Sequence, residues 1–325
     1  MKLVDTNRKE YQCVIPAIPE DYARAKRTFH YLFDNLPIYK IIFVGTSSLK
    51  KIIDEDKGSY GSIEFIDELD LVDFRQVKKF YDPLLAVATS YAISSVNWYY
   101  QQFLKMAYSQ VCEDDFYLCW DVDTVPVRKI EMHAQNGKPY LDIKPEYNNS
   151  YFITIEKLFG YTKIIESSFI SEHMLFNKDY MLEMICEIEK LDFDGDMFYE
   201  KILSAVGSDN LNLGFSEFET YGTYVAMKHQ SSYMLRHWKS FRNANFFVDI
   251  SDLTDKDVEW LAKSYDAATF EKYQSTEELL NSLFRDPRYR EKLLPEQFYT
   301  TILESGAMGE YLNGKIKVGN NWFPA

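Results

Sequence analysis

Positive charge is scarce in this 325-residue sequence: 36 Lys and Arg stand against 50 Asp and Glu, a net charge of −14. Binding to nucleic acid needs a basic surface to neutralise phosphates, so that class of partner is not expected. Docking on anionic lipid would need a local basic patch. Cysteine is also scarce. Cys13, Cys112, Cys119 and Cys186 form no CxxC pair, so buried reduced thiols are expected rather than disulfides or a zinc site. No run of about 18 apolar residues occurs, so no transmembrane helix is expected. The first residues, MKLVDTNRKEYQC, lack the apolar stretch of a signal peptide, and the expected location is the cytoplasm. There are no internal repeats or low-complexity tracts. The first strand is not followed by a glycine-rich phosphate loop with a Lys or Arg cluster, which disfavours a nucleotidyltransferase.

Aromatic residues are abundant, with 25 Tyr, 23 Phe and 5 Trp. Such side chains fill cores, and in carbohydrate-handling proteins their faces stack on sugar rings. The first half of the chain alternates between apolar runs and amphipathic segments. Strands are expected at Cys13–Pro16, Ile41–Gly45 and Ile63–Asp67, with helices opening at Pro19, Ser48 and Asp73. The helix after Pro19 would place Tyr22, Phe29, Phe33 and Leu36 on one apolar face. This rhythm implies an α/β fold with a mostly parallel sheet covered by helices. Ser95 caps a further helix from Val96 to about Gln110, on which Asn97, Gln101 and Lys105 share one face. Asp179–Leu191 reads as helix and Gly137-Lys138-Pro139 as a turn. From about Ser251 the pattern is helical and acidic, so the expected division is a domain over 1–247 and a small helical appendage over 248–325.

The most informative segment is Phe116-Tyr117-Leu118-Cys119-Trp120 followed by Asp121-Val122-Asp123-Thr124-Val125-Pro126. A buried strand delivers two carboxylates, at i and i+2, to the edge where α/β sheets bind ligands. Hard oxygen donors of this kind suit Mg²⁺ or Mn²⁺, which keep open positions for substrate phosphates. Asp192-Phe193-Asp194 and Asp194-Gly195-Asp196 repeat the pattern but follow a helix in a polar loop, and they read as a solvated turn.

The Phe116–Pro126 segment resembles the DxD signature of GT-A glycosyltransferases. Together with residues 97–106, 171–176 and 216–222, it is similar to a group of bacterial polysaccharide-associated transferases of that fold. The resemblance covers roughly residues 10–245 and implies a GT-A, Rossmann-like domain. It implies that Pro16 and Ala17 contact the nucleoside of a donor and that Asp67 hydrogen-bonds its base. Asn97, Gln101 and Lys105 would face the donor's ribose or phosphates, and Glu172 and His173 would line the sugar pocket. Asp121 and Asp123 would bind Mn²⁺ or Mg²⁺, with His237 or His229 as a third ligand. The acceptor's base would come from a carboxylate opening a downstream helix, for which Glu217 fits best and Glu219 is second. Either carboxylate could instead serve only to complement a helix N-terminus.

The function expected is transfer of a sugar from a nucleotide sugar, with UDP as the first candidate. The acceptor would be a glycan or lipid-linked glycan in surface polysaccharide synthesis, at the inner face of the membrane. The basic window Lys228, Arg236, Lys239 and Arg242 could contact an anionic acceptor, bind the diphosphate or balance the acidic surface. The competing expectations are a nucleotidyltransferase and a non-catalytic sugar- or nucleotide-binding protein on a transferase-like fold.

Overall fold

The computed structural model describes residues 10–56, 58–88, 94–163 and 167–308, and the backbone of two short strands beyond them. The strands, in chain order, are β1 (Tyr11–Pro16), β2 (Ile38–Gly45), β3 (Ile63–Asp67), β4 (Phe116–Trp120), β5 (Thr124–Pro126), β6 (Tyr140–Ile143), β7 (His173–Asn177), β8 (Met234–His237), β9 (Ser240–Phe241), β10 (Ala267–Thr269), β11 (Lys315–Val318) and β12 (Asn321–Pro324). The chain divides into two compact units. One comprises Met1–Pro19, Pro37–Val122 and Glu131–Trp238, and the other Glu20–Leu36, Asp123–Ile130 and Lys239–Ala325.

The first unit is built on a five-stranded sheet in the order β3-β2-β1-β4-β7. Its pairings are parallel except for β4 with β7, which is antiparallel. The central strands are apolar along nearly their whole length because both faces are covered. Cys13, Val14 and Ile15 of β1 and Tyr117, Leu118, Cys119 and Trp120 of β4 are fully buried. Helices flank this sheet, and the expected mixed α/β architecture is the one observed.

The parallel pairings bring the carboxyl ends of β1, β2, β3 and β4 to one edge. Pro16 lies opposite Val44, and Gly45 opposite Asp67. Because β7 runs the other way, it begins at this edge, with His173 opposite Trp120. Ala17 N–H donates to the Val44 carbonyl at 3.0 Å. A Cβ on Gly45 would come within 2.6 Å of the Ala17 carbonyl oxygen, so a glycine is required for the two strand ends to approach. A second, smaller sheet pairs β6 with β8 in parallel.

Several elements differ in extent from the sequence expectation. Asp73 caps a helix, Phe74–Val87, that continues through Pro83. The helix expected from Pro19 is broken into Pro19–Ala25, a 3₁₀ turn at Lys26–Thr28, and Phe29–Asn35. At the break the Thr28 hydroxyl donates to the Ala25 carbonyl at 2.8 Å, competing with the helical ladder. The Ser95 cap is present, its hydroxyl accepting from Trp98 N–H at 3.3 Å. The α-helix it opens ends at Ala107, and a 3₁₀ turn carries the chain on to Gln110.

The second unit contains the sheet β5-β10-β9 and the helices Asp255–Leu261, Glu278–Arg285, Pro287–Arg290 and Pro295–Glu304. The C-terminal region is helical, as expected, but β10, β11 and β12 also lie in it. Trp260, Phe284 and Phe298 pack edge to face at its centre, with ring centroids 5.5–6.4 Å apart. Two earlier segments belong to the same unit. β5 pairs with β10, and the Arg24 guanidinium donates to the Phe270 carbonyl at 2.8 Å. The compact units therefore do not follow a single cut after residue 247.

Candidate active site

Strand β4 is followed by Asp121, whose N–H donates to the Glu172 carbonyl oxygen at 2.9 Å. The antiparallel ladder thus holds the first residue of the Asp-x-Asp segment through its backbone. Its carboxylate is about one-third exposed and meets Lys105. The Lys105 ammonium lies 2.7 Å from Asp121 Oδ1 and 2.8 Å from Glu217 Oε1, and 4.3 Å from the centre of the Phe218 ring. Asn97 and Gln101, on the same helical face as Lys105, are exposed, so the polar stripe runs from solvent to a buried end.

Lys105 and Glu217 are both almost completely buried, which matters for their charge states. Burial alone would draw the Lys105 pKa down. The Asp121 and Glu217 carboxylates more than reverse this and hold the amine charged. Burial pushes the Glu217 carboxyl above its ordinary value, opposed by the Lys105 charge. Glu217 opens the helix Glu217–Lys228, and its N–H donates to Gln102 Oε1 at 3.0 Å.

Glu219, two residues on, faces elsewhere. Its carboxylate accepts from the Ser168 hydroxyl at 2.5 Å, Phe169 N–H at 2.8 Å and the Thr223 hydroxyl at 3.3 Å. Burial raises its pKa against these hydrogen bonds. On the same helix, a Cβ on Gly222 would fall 2.3 Å from Phe169 Cγ, so the glycine lets that ring lie against the backbone. Glu219 and Gly222 together clamp the segment around Phe169.

Glu172 and His173 lie beside Asp121 in a buried charged network. Glu172 accepts from Lys144 Nζ at 2.6 Å and from Trp238 Nε1 at 2.7 Å. His173 Nε2 lies 2.9 Å from Asp142 Oδ2, and Arg236 reaches the same carboxylate through Nε at 2.6 Å and Nη2 at 2.7 Å. Burial would raise the Asp142 pKa, but hydrogen bonds from Arg236 and His173 bring it below the ordinary aspartate value. The His173 ring sits 4.9 Å from Trp120 and 4.3 Å from Trp238, and its buried Nδ1 has no hydrogen-bond partner among the described residues.

The sheet edge therefore gathers Pro16, Ala17, Asp67, Asp121, Glu172 and His173, with Lys105 and Glu217 reaching Asp121 from two helices. Asp67 caps the turn that follows β3, its Oδ1 accepting from Leu69 N–H at 3.0 Å. Asp123 belongs to the second unit, where its carbonyl accepts from Phe270 N–H at 2.8 Å. His237 is exposed on β8. His229 pairs with Glu183 at 2.8 Å and stacks on Tyr180 at 3.8 Å between centroids. The sequence reading missed Gln102, Asp142, Lys144 and the pairing role of Trp238. Asp142 and Lys144 left a weak signal: charges at alternate positions in Leu141-Asp142-Ile143-Lys144, a short strand with apolar neighbours.

Whether this donor set suits a divalent cation can be judged from its chemistry. Carboxylate oxygens match Mg²⁺ and Mn²⁺, and Asp121 is open to solvent on one side. Among the described residues no group of three or more His, Cys, Asp or Glu side chains is arranged to hold a metal. The residues offer oxygen donors of the kind such a cation takes. They do not make a closed protein cage.

Residues 49–284 match a family model, described as a family of unknown function (DUF6492). The chain belongs to that family. No curated protein matches it. Among solved structures it is similar to apo mouse xyloside xylosyltransferase 1, at 12% identity and a TM-score of 0.44, covering 82% of this chain and 99% of that one. It is similar to the apo glycosyltransferase GlyE of Streptococcus pneumoniae TIGR4, at 11% identity and 0.39, covering 91% and 64%. A third is the bifunctional glycosyltransferase WbbM, at 11% identity and 0.41, covering 96% and 52%. The chain thus spans about two-thirds of GlyE and half of WbbM. With TM-scores below 0.5 the likeness is loose, and the functional reading rests on this chain's own residues. No described helix is long and apolar enough to cross a membrane.

Proposed function

We propose that this protein is a metal-dependent glycosyltransferase that takes its sugar from a nucleotide diphosphate sugar, with UDP as the carrier. The acceptor is a glycan or lipid-linked glycan, and the place of work is the cytoplasmic face of the membrane during surface polysaccharide synthesis. The observation that carries the reading is the position of Asp121. It follows a strand whose last four residues are fully buried, at the carboxyl edge of a mostly parallel sheet, and stays partly open to solvent.

The Asp121-Val122-Asp123 segment would hold Mn²⁺ or Mg²⁺, with exposed His237 the candidate third ligand. A cation there would supply counter-charge to the departing diphosphate. The chain's own residues do the rest. The Glu172 carbonyl fixes the Asp121 backbone, and the ion pairs of Lys144, Asp142 and Arg236 keep the wall around Glu172 and His173 rigid. Asn97 and Gln101 present amides to solvent on the face that leads down to Asp121, suited to hydroxyls of the donor. Rigid support of this kind is what positions a donor for attack.

Calorimetric titration of UDP with Mn²⁺ present, and again with EDTA, tests the reading. Binding that requires the metal supports it. Absence of binding by UDP and by the other nucleoside diphosphates would sink it and favour a non-catalytic sugar-binding protein.

A further inference from the structure

Glu217 was expected to receive the acceptor's proton, and a base must come within about 2.6–3.2 Å of the hydroxyl it serves. That position on Glu217 Oε1 is already filled by the Lys105 ammonium at 2.8 Å, and Glu217 is only 3% exposed. Lys105, at 4%, has no open path to a phosphate without leaving both partners. Of the three charges only Asp121 faces solvent. They form a row running inward: carboxylate, ammonium, carboxylate. The Lys105 ammonium lies 2.7 Å from Asp121 Oδ1, so a cation taken by the same carboxylate shares it with a like charge and is repelled by it. Glu217 draws the ammonium the other way, and Gln102 fixes the backbone from which Glu217 projects.

Resting on the cation reading given above, we propose that Lys105 and Glu217 are positioning residues that tune how tightly Asp121 takes the cation. Lys105 is the internal counter-ion of Asp121, and Glu217 holds that ammonium inward. The two residues therefore act on cation affinity with opposite signs. Removing Glu217's charge leaves the ammonium to Asp121 alone and weakens cation binding. Removing the Lys105 charge frees Asp121 and strengthens it.

The experiment measures Mn²⁺ affinity by the electron-paramagnetic-resonance signal of the free ion, without any sugar donor. Glu217→Gln is expected to weaken binding about tenfold and Lys105→Met to strengthen it by a similar factor. The double variant, which buries no unpaired charge, is expected to bind more tightly than Glu217→Gln alone. It carries the test if Lys105→Met does not fold. Weakening in both single variants is what a merely structural pair would give, and it overturns the proposal. Unchanged affinity in both also overturns it. An Asp121→Asn variant that keeps wild-type Mn²⁺ affinity would instead reject the cation reading itself, whatever Lys105 does.

Discussion

The Asp-x-Asp spacing of Asp121 and Asp123 recurs at Asp192, Asp194 and Asp196, and the two surroundings have little in common. Asp121 follows a strand whose last four residues are fully buried, and its carboxylate meets a buried lysine. Asp192, Asp194 and Asp196 lie exposed in a loop, where the ordered contacts are local. There Asp196 N–H donates to Glu200 at 2.8 Å, and Lys201 serves the carbonyls of Leu191 and Phe193 at 2.7 and 3.0 Å. A pair of carboxylates becomes a candidate site when a rigid element delivers it and buried charge stands behind it.

Three changes would sharpen or break this contrast. The largest effect is expected from Lys105→Met, which strands the buried Glu217 carboxylate and should cost about 3–5 kcal/mol of stability in chemical unfolding. Lys201→Met, which removes hydrogen bonds only to carbonyls, should cost about 1 kcal/mol. Equal losses would remove the distinction between the two lysines. Next comes Glu219→Gln, which disturbs the clamp around Phe169 and should cost roughly 1–3 kcal/mol while leaving UDP affinity unchanged. A loss of UDP affinity without a loss of stability would make Glu219 part of the site.

The smallest effect is a pH dependence. Asp142 has its pKa lowered in the folded protein, from an ordinary value of 3.8. Its contribution to stability is therefore present above 3.8 and is lost as pH falls through the lowered value. Asp142→Asn should flatten the acid limb of the stability curve relative to wild type, measured by denaturant unfolding on both sides of 3.8. An unchanged acid limb would mean that Arg236 and His173 do not favour the ionised form.

Much of the scaffold was legible locally. The run Phe116–Trp120, the Ser95 cap and the β1–β3 strands follow from apolar runs and one hydroxyl at the right place. The partners of the charged groups were not. Lys105 meets Asp121 sixteen residues away and Glu217 112 residues away, and no local pattern encodes either contact. Glu217 and Glu219 look alike in sequence, at the first turn of one helix. Two residues apart, they face roughly opposite sides of the helix, one toward Lys105 and the other toward Ser168 and Phe169. The membership of Glu20–Leu36 and Asp123–Ile130 in the second unit depends on pairings such as β5 with β10, across about 140 residues of chain. Thr28's back-bond to Ala25, at the break in the first helix, is a local feature that apolar periodicity does not register.

The most direct test of the account is Mn²⁺-dependent UDP binding in Asp121→Asn set beside Asp194→Asn. The account requires the first to weaken binding by about a hundredfold or more and the second to leave it at the wild-type value. Equal binding by the two variants would contradict it, because the buried strand and its lysine would then confer nothing that an exposed loop lacks.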